Sequence, residues 1–185
     1  PDIFMSEDPK IQNIEVLAST RLFSIETVDL HFANGEARTF ERLMSTGQGA
    51  VMVVPLIEND QLLLIREFAV GMERYELGFV KGRIDNGEAP EAAARRELRE
   101  ETGFDAKSFK RLATVGLTPA YSNYQTHIFL ADELFSAPLP GDEPEAPEKI
   151  SWPLADLDVL RRQENFSDSR SVLATFLIAE DLINE

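Results

Sequence analysis

Gly82 to Phe104 reads GRIDNGEAPEAAARRELREETGF, and this stretch decides how the rest of the chain is read. Pro90 near the start, alanines at 89 and 92–94, and Gly103 just past the end punctuate a helix over Ala89–Thr102. At 3.6 residues per turn, Glu97, Glu100 and Glu101 project from one side of it. Three carboxylates on one face repel one another, and they sit near the C-terminal end, where the helix dipole disfavours negative charge. Two readings are open at this point. The acids form an ordinary solvated face, partly neutralised by Arg95, Arg96 and Arg99, or they hold a hard divalent cation such as Mg²⁺ or Mn²⁺, which prefers oxygen ligands.

Upstream of the helix, apolar residues alternate at Phe23, Ile25, Val28, Leu30 and Phe32 with one slip, and Asn34-Gly35 supplies a tight turn. The pattern predicts a β-hairpin within Arg21–Arg42. AVMVVPLI (Ala50–Ile57) and QLLLIREF (Gln61–Phe68) flank Glu58-Asn59-Asp60 and predict two buried strands joined by a short turn. Tyr75–Lys81 is expected to be a strand or loop leading into the opening stretch. Further strands are expected at Leu112–Leu117 and Gln125–Ala131, a proline-rich acidic loop at Ser136–Pro147, and helices at Leu154–Arg162 and Ser169–Ile183, the last capped by Ser167 or Asp168. The element order predicts an α+β fold with a mixed sheet. The expected division is an N-terminal tail over 1–12, an antiparallel β-subdomain over 13–46, and the main domain over 47–185.

Composition narrows the function classes. The 185 residues carry 33 acids against 18 Lys and Arg, a formal net charge of -15, so the chain repels nucleic acid and anionic membranes alike. A phosphate-bearing ligand then needs a local cation. No cysteine is present, which excludes disulfides, thiolate metal sites and cysteine nucleophiles, and suits a cytoplasmic protein. No apolar run is long enough for a membrane span, and PDIFMSEDPK lacks the pattern of a signal peptide. His31 and His127 fall within strand patterns and are read as structural.

The spacing around the helix carries more information than its charge. Gly82, five residues, Glu88, seven residues, then Arg96-Glu97-Leu98-Arg99-Glu100-Glu101-Thr102-Gly103-Phe104 match G-x5-E-x7-R-E-U-x-E-E-x-G-U, with U a bulky apolar residue. The chain thus resembles a Nudix hydrolase. That resemblance implies an α/β/α sandwich, a loop-helix-loop metal site, and cleavage of pyrophosphate in a nucleoside diphosphate linked to a second group. By position it makes Glu97 and Glu101 the principal Mg²⁺ ligands, with Mn²⁺ a substitute, and Glu100 a further ligand. The Gly82 carbonyl joins them, while Glu88 and Arg96 tie the loop to the helix.

Outside the box, Phe40-Glu41-Arg42, Arg66–Gly71, Tyr75–Phe79, Gly141-Asp142-Glu143-Pro144-Glu145 and Trp152–Ala155 are similar to the bacterial ADP-compounds hydrolases and the wider ADP-ribose pyrophosphatases. Gly78-Phe79-Val80 departs from the usual P-A-G segment. The resemblance implies hydrolysis of ADP-ribose, NADH and diadenosine polyphosphates with release of AMP. The acidic loop offers Glu145 and Glu143 as a mobile catalytic glutamate, against the reading of a simple solvated loop. Arg66 is a candidate for a substrate phosphate, against a structural salt bridge. Glu76 is a candidate to orient Arg96 or a metal-bound water, against packing at a strand end. Arg42, Phe40 and Tyr121 complete the candidate substrate-binding set, the two aromatics being candidates to stack on adenine. The resemblance also implies a homodimer built on the N-terminal strands. The alternatives are a Nudix enzyme acting on nucleoside triphosphates or nucleotide sugars, and a non-catalytic nucleotide-binding module of the same fold.

Overall fold

The computed structural model describes residues 7–58, 60–141 and 144–183. The chain divides into two units. One runs up to Gln48 and includes Gly116–Tyr124; the other comprises Gly49–Val115 and the described residues from Gln125 onward. The first unit therefore draws in a segment that the contiguous division at 46/47 assigns to the main domain.

The first unit is a three-stranded antiparallel sheet of β1 (Lys10–Ser19), β2 (Phe23–His31) and β3 (Ala37–Ser45), in that order. The β2–β3 hairpin turns where expected. Gly35 adopts φ 87°, and the Asn34 side-chain oxygen accepts the Glu36 N–H at 3.0 Å. Leu43 N–H donates to the Tyr121 carbonyl at 2.7 Å and Ser45 N–H to the Asn123 side chain at 2.9 Å, which fastens 116–124 to β3. β1 begins at Lys10, inside the stretch expected to be a tail. Its register slips between Ile11 and Asn13 and again between Val16 and Ala18. Each bulge moves the apolar side chains to the other face, which erases the period-2 signal that marks a strand in sequence.

The second unit is built on a mixed sheet. β4 (Ala50–Ile57) and β5 (Gln61–Ala69) form the buried hairpin, and the order runs β10 (Glu148–Pro153), β5, β4, β9 (Gln125–Ser136), β8 (Phe104–Gly116). β6 (Arg74–Gly78) lies beside β5 and β7 (Val80–Arg83) beside β4, with β4 and β9 parallel. The unbroken apolar run of β4 has a direct cause: both faces are covered. Met52 and Val54 pack with Leu62, Leu64, Phe79, Phe166 and helix α3 (Ser169–Ile183), while Val51 and Val53 pack with Ile65, Ala93, Ala94 and Leu98 of helix α1 (Pro90–Thr102). Helix, sheet and helix thus form three layers, the expected α/β/α sandwich.

Three local features differ from the sequence reading. Leu154–Arg162 is a 3₁₀ turn (Leu154–Asp156) followed by a single α turn, α2 (Leu157–Leu160), because Pro153 ends the preceding strand directly before it. β8 is longer than the Leu112–Leu117 segment. β10 is a short edge strand whose alternation is limited to Ile150 and Trp152, with Pro153 at its end, where no ladder N–H is lost. α3 matches its expected bounds, and the Asp168 carboxylate caps it by accepting the N–H groups of Arg170 at 2.8 Å and Ser171 at 3.3 Å.

Candidate active site

α1 starts with Pro90 at its first turn and closes at Gly103, whose φ of 80° is left-handed and whose N–H returns to the Arg99 carbonyl at 3.0 Å. Ala93, Ala94, Leu98 and Thr102 are its buried residues. With that face on the sheet, the acids cannot all reach bulk water. The side chains of Glu97 and Glu100 are only 13% and 21% exposed. This excludes the ordinary solvated face.

Arg96 sits at the centre of the acids. It takes Glu88 bidentately, Nε to Oε1 at 3.1 Å and a terminal nitrogen to Oε2 at 3.0 Å. Its other terminal nitrogen donates to Glu97 at 2.7 Å and Glu100 at 3.0 Å, and the Arg83 carbonyl accepts a further bond at 2.9 Å. The hydrogen bond from Arg96 is the main cause that holds the Glu88 carboxyl below its ordinary pKa, against burial; the Asp85 N–H adds to it. The same contacts raise Arg96, which is a permanent cation here. Glu88, at the end of the loop, is thereby clamped to the helix.

Glu101 behaves differently. Burial pushes its carboxyl up to about 9, the charges of Glu67 and Glu97 add to the shift, and Lys81 opposes it through its ammonium and its backbone N–H. Glu67 itself pairs with Lys81. One Glu101 oxygen, Oε2, is buried without a hydrogen-bond partner among the described residues. An orphaned carboxylate oxygen of this kind is costly unless something positive meets it. Gly82, in β7, lies directly against the Glu97 carboxylate, so that a Cβ at position 82 would overlap it. Oxygen-only donors, net negative charge and an unpartnered buried oxygen suit a hard divalent cation. Among the described residues no three carboxylates already converge as a cage, since Glu97 and Glu100 lean to Arg96.

A cleft of about 420 Å³ is lined by Arg66, Glu67, Phe68, Tyr75, Glu145 and Glu148, among others. Arg66 pairs with Glu148 at 3.0 Å and stacks over the Tyr75 ring at 4.3 Å. The Tyr75 hydroxyl donates to Glu145 at 2.9 Å. Arg66 and Glu145 are therefore brought to one cleft, as two of the expected site residues. Glu143 lies outside the described residues.

Glu76 serves neither Arg96 nor the cleft. Its carboxylate accepts from Arg74 at 2.5 Å and from the Ser167 hydroxyl and N–H at 2.7 and 3.1 Å, bracing β6 against the segment before α3. Burial works against its ionisation, but these bonds hold it below its usual range. Packing at a strand end is the reading the geometry gives it. Arg42, Phe40 and Tyr121 belong to the first unit. There Arg42 pairs with Glu26 at 2.8 Å, Phe40 meets Phe32 edge-on at 6.3 Å, and both Phe40 and Tyr121 are exposed. Sequence reasoning missed Glu67, Lys81 and Tyr75. Arg66-Glu67-Phe68 falls in an expected strand and Lys81 in a segment expected to be strand or loop, but only the folded sheet brings Glu67 and Lys81 to act on Glu101.

Comparison with known proteins agrees with this geometry. The NUDIX domain matches residues 47–176, and the NudE-type Nudix hydrolase N-terminal domain matches residues 9–42. The chain is 45% identical to the ADP compounds hydrolase NudE of Escherichia coli (strain K12), over 94% of this chain and 93% of that one. It is 31% identical to the ADP-sugar pyrophosphatase of Mus musculus, over 86% and 82%. The crystal structure of an ADP compounds hydrolase superposes with a TM-score of 0.91 at 44% identity, over 97% of each chain. The chain belongs to the Nudix hydrolase family.

Proposed function

We propose that this protein hydrolyses the pyrophosphate bond of ADP-linked compounds, namely ADP-ribose, NADH and diadenosine polyphosphates, releasing AMP. The observation that carries the reading is the buried, unpartnered Glu101 oxygen in a site that also holds Glu97 against Gly82. Glu97, Glu100, Glu101 and the Gly82 carbonyl are the proposed ligands of Mg²⁺, with Mn²⁺ as a substitute. When bound, such ions offset the charge of the diphosphate, polarise phosphorus and lower the pKa of the attacking water. The relatives named above, an ADP compounds hydrolase and an ADP-sugar pyrophosphatase, support the choice of substrate class.

The chain's own side chains divide the remaining work. Arg66 supplies a bidentate donor for a substrate phosphate, the local cation that an acidic protein needs. Glu145, in the same cleft, takes the proton released as water attacks. Arg96 and Glu88 act as a brace, holding loop and helix so that Glu97 and Glu100 stay on one side. Phe40, Arg42 and Tyr121 are assigned to the adenosine end.

A homodimer completes the proposal. β1, at the edge of its sheet, exposes Ile11, Ile14, Val16 and Leu17, an apolar strip that a second copy would cover. A cytoplasmic location fits the cysteine-free chain, and among the described residues no helix is long and apolar enough to cross a membrane.

The test is a panel of ADP-ribose, NADH, diadenosine triphosphate, nucleoside triphosphates and nucleotide sugars with Mg²⁺, products resolved by chromatography. AMP from the ADP-linked members alone is expected. Preferred turnover of triphosphates or non-adenine nucleotide sugars would replace the substrate assignment, and binding without turnover would make the protein a nucleotide-binding module.

A further inference from the structure

Among the described residues, Tyr75 touches both functional groups of the cleft, Arg66 and Glu145. In the β5–β6 pairing it stands opposite Phe68, and the two rings meet edge-on with centroids 5.5 Å apart. Residues 66 and 68 share a face of β5, because side chains alternate along a strand. The ring of Tyr75 is thus carried to the Arg66 guanidinium, which lies 4.3 Å from its centroid. Its hydroxyl ends 2.9 Å from Glu145 on the loop before β10. We propose that Tyr75 is a positioning residue that sets Arg66 with its ring face and Glu145 with its hydroxyl, fixing the cation and the carboxylate of the cleft relative to each other. The inference rests on the hydrolase reading above and names what aligns two of its groups.

Each half of the contact has its own physical basis. A guanidinium stacked on an aromatic face loses rotational freedom while its N–H edge keeps facing outward. Glu148 takes one of those donors at 3.0 Å, which fixes the edge in direction. At the other end, an ionised carboxylate is acceptor-only and long enough to sample several rotamers. A phenol donating to it selects one. The phenol proton is held more tightly than usual, chiefly through this bond to Glu145 and the charge behind it. Phe68, by meeting the ring edge-on, keeps its plane from turning.

The halves separate by mutation. Tyr75→Phe keeps the ring and removes the hydroxyl, whereas Tyr75→Leu removes both. With ADP-ribose and saturating Mg²⁺, Tyr75→Phe is expected to lower kcat about tenfold and leave KM within about twofold, the size of one lost charge-assisted hydrogen bond. Tyr75→Leu should show the same loss in kcat and in addition a rise in KM of about tenfold. Glu145→Gln combined with Tyr75→Phe should be no slower than Glu145→Gln alone, because the hydroxyl acts through Glu145. Thermal melts establish that each variant is folded, and Tyr75→Phe keeps the packing that Tyr75→Leu disturbs. A Tyr75→Phe enzyme with unchanged or raised kcat, or losses that multiply fully with those of Glu145→Gln, overturns the proposal. Absence of turnover by the unmutated protein on every ADP-linked compound instead overturns the hydrolase reading, so the two failures are distinct.

Discussion

Gly82 and Glu97 are in contact across the β7–α1 junction so closely that position 82 has no room for a Cβ. The strand and the helix meet at a carboxylate, and the glycine is required by that approach rather than by its backbone angles. Gly82→Ala is therefore expected to push Glu97 out of place. Activity or cation affinity should fall by about 10–100-fold, the range for displaced supporting groups of metal sites. Titration of Mn²⁺ by electron paramagnetic resonance, together with kcat/KM, checks it; wild-type values in both would contradict the assignment of this junction.

Arg96 is expected to matter for folding as well as for the site. Removing it takes the guanidinium away from two shielded carboxylates, Glu88, 18% exposed, and Glu97, 13% exposed. Arg96→Ala should cost about 3 kcal/mol, and Arg96→Lys should recover only part of that because one ammonium cannot take Glu88 with two parallel bonds and still serve Glu97 and Glu100. Urea denaturation of the two variants against wild type measures both values.

Asp168 gives a pH-dependent term remote from the carboxylate cluster. Burial raises its pKa, but the hydrogen bond and charge of Arg170 and the N–H groups at the start of α3 outweigh burial and hold it below the usual 3.8. A depressed carboxyl stabilises the fold above its unfolded pKa, and the gain is lost as pH falls through the folded value. Asp168→Asn should lower stability by about 1 kcal/mol at pH 7. The difference should shrink toward zero as the solution is acidified below the ordinary aspartate range. A difference that stays constant over the whole range would sink this account of the cap.

Divalent cation should stabilise the protein by mass action, because the folded carboxylate face offers what the unfolded chain does not. At about 100 times the dissociation constant the gain is about 2.7 kcal/mol. The melting temperature of the chelated protein should thus rise with added Mg²⁺. The rise should be abolished or strongly reduced in Glu97→Gln. An equal rise in that variant would place the cation elsewhere.

Much of this site was legible in the sequence because its parts are local. The acids at 97, 100 and 101, their brace Arg96 and the glycines at 82 and 103 all fall within one loop-helix-loop. Helical periodicity fixes how such residues face. What was hidden depends on pairing between distant segments. Glu67 and Lys81 meet through the sheet, and Tyr75 reaches Glu145 across 70 positions of sequence. The choice between the two readings of Glu76 was hidden for the same reason, since its partner Ser167 lies 91 positions away. β1 escaped notice because two bulges reverse its faces, and β10 because its alternation is confined to Ile150 and Trp152, too short a run to mark a strand.

The central claim is that Glu101, buried with one oxygen unpartnered, is the carboxylate on which pyrophosphate cleavage depends. The most direct measurement is AMP formation from ADP-ribose with Mg²⁺ by wild type and by Glu101→Gln, an isosteric change that removes the charge. Wild type should release AMP, and Glu101→Gln should be slower by at least about a thousandfold, the loss expected when a ligand of the catalytic cation is removed. AMP release by Glu101→Gln at a rate near that of wild type would contradict the account.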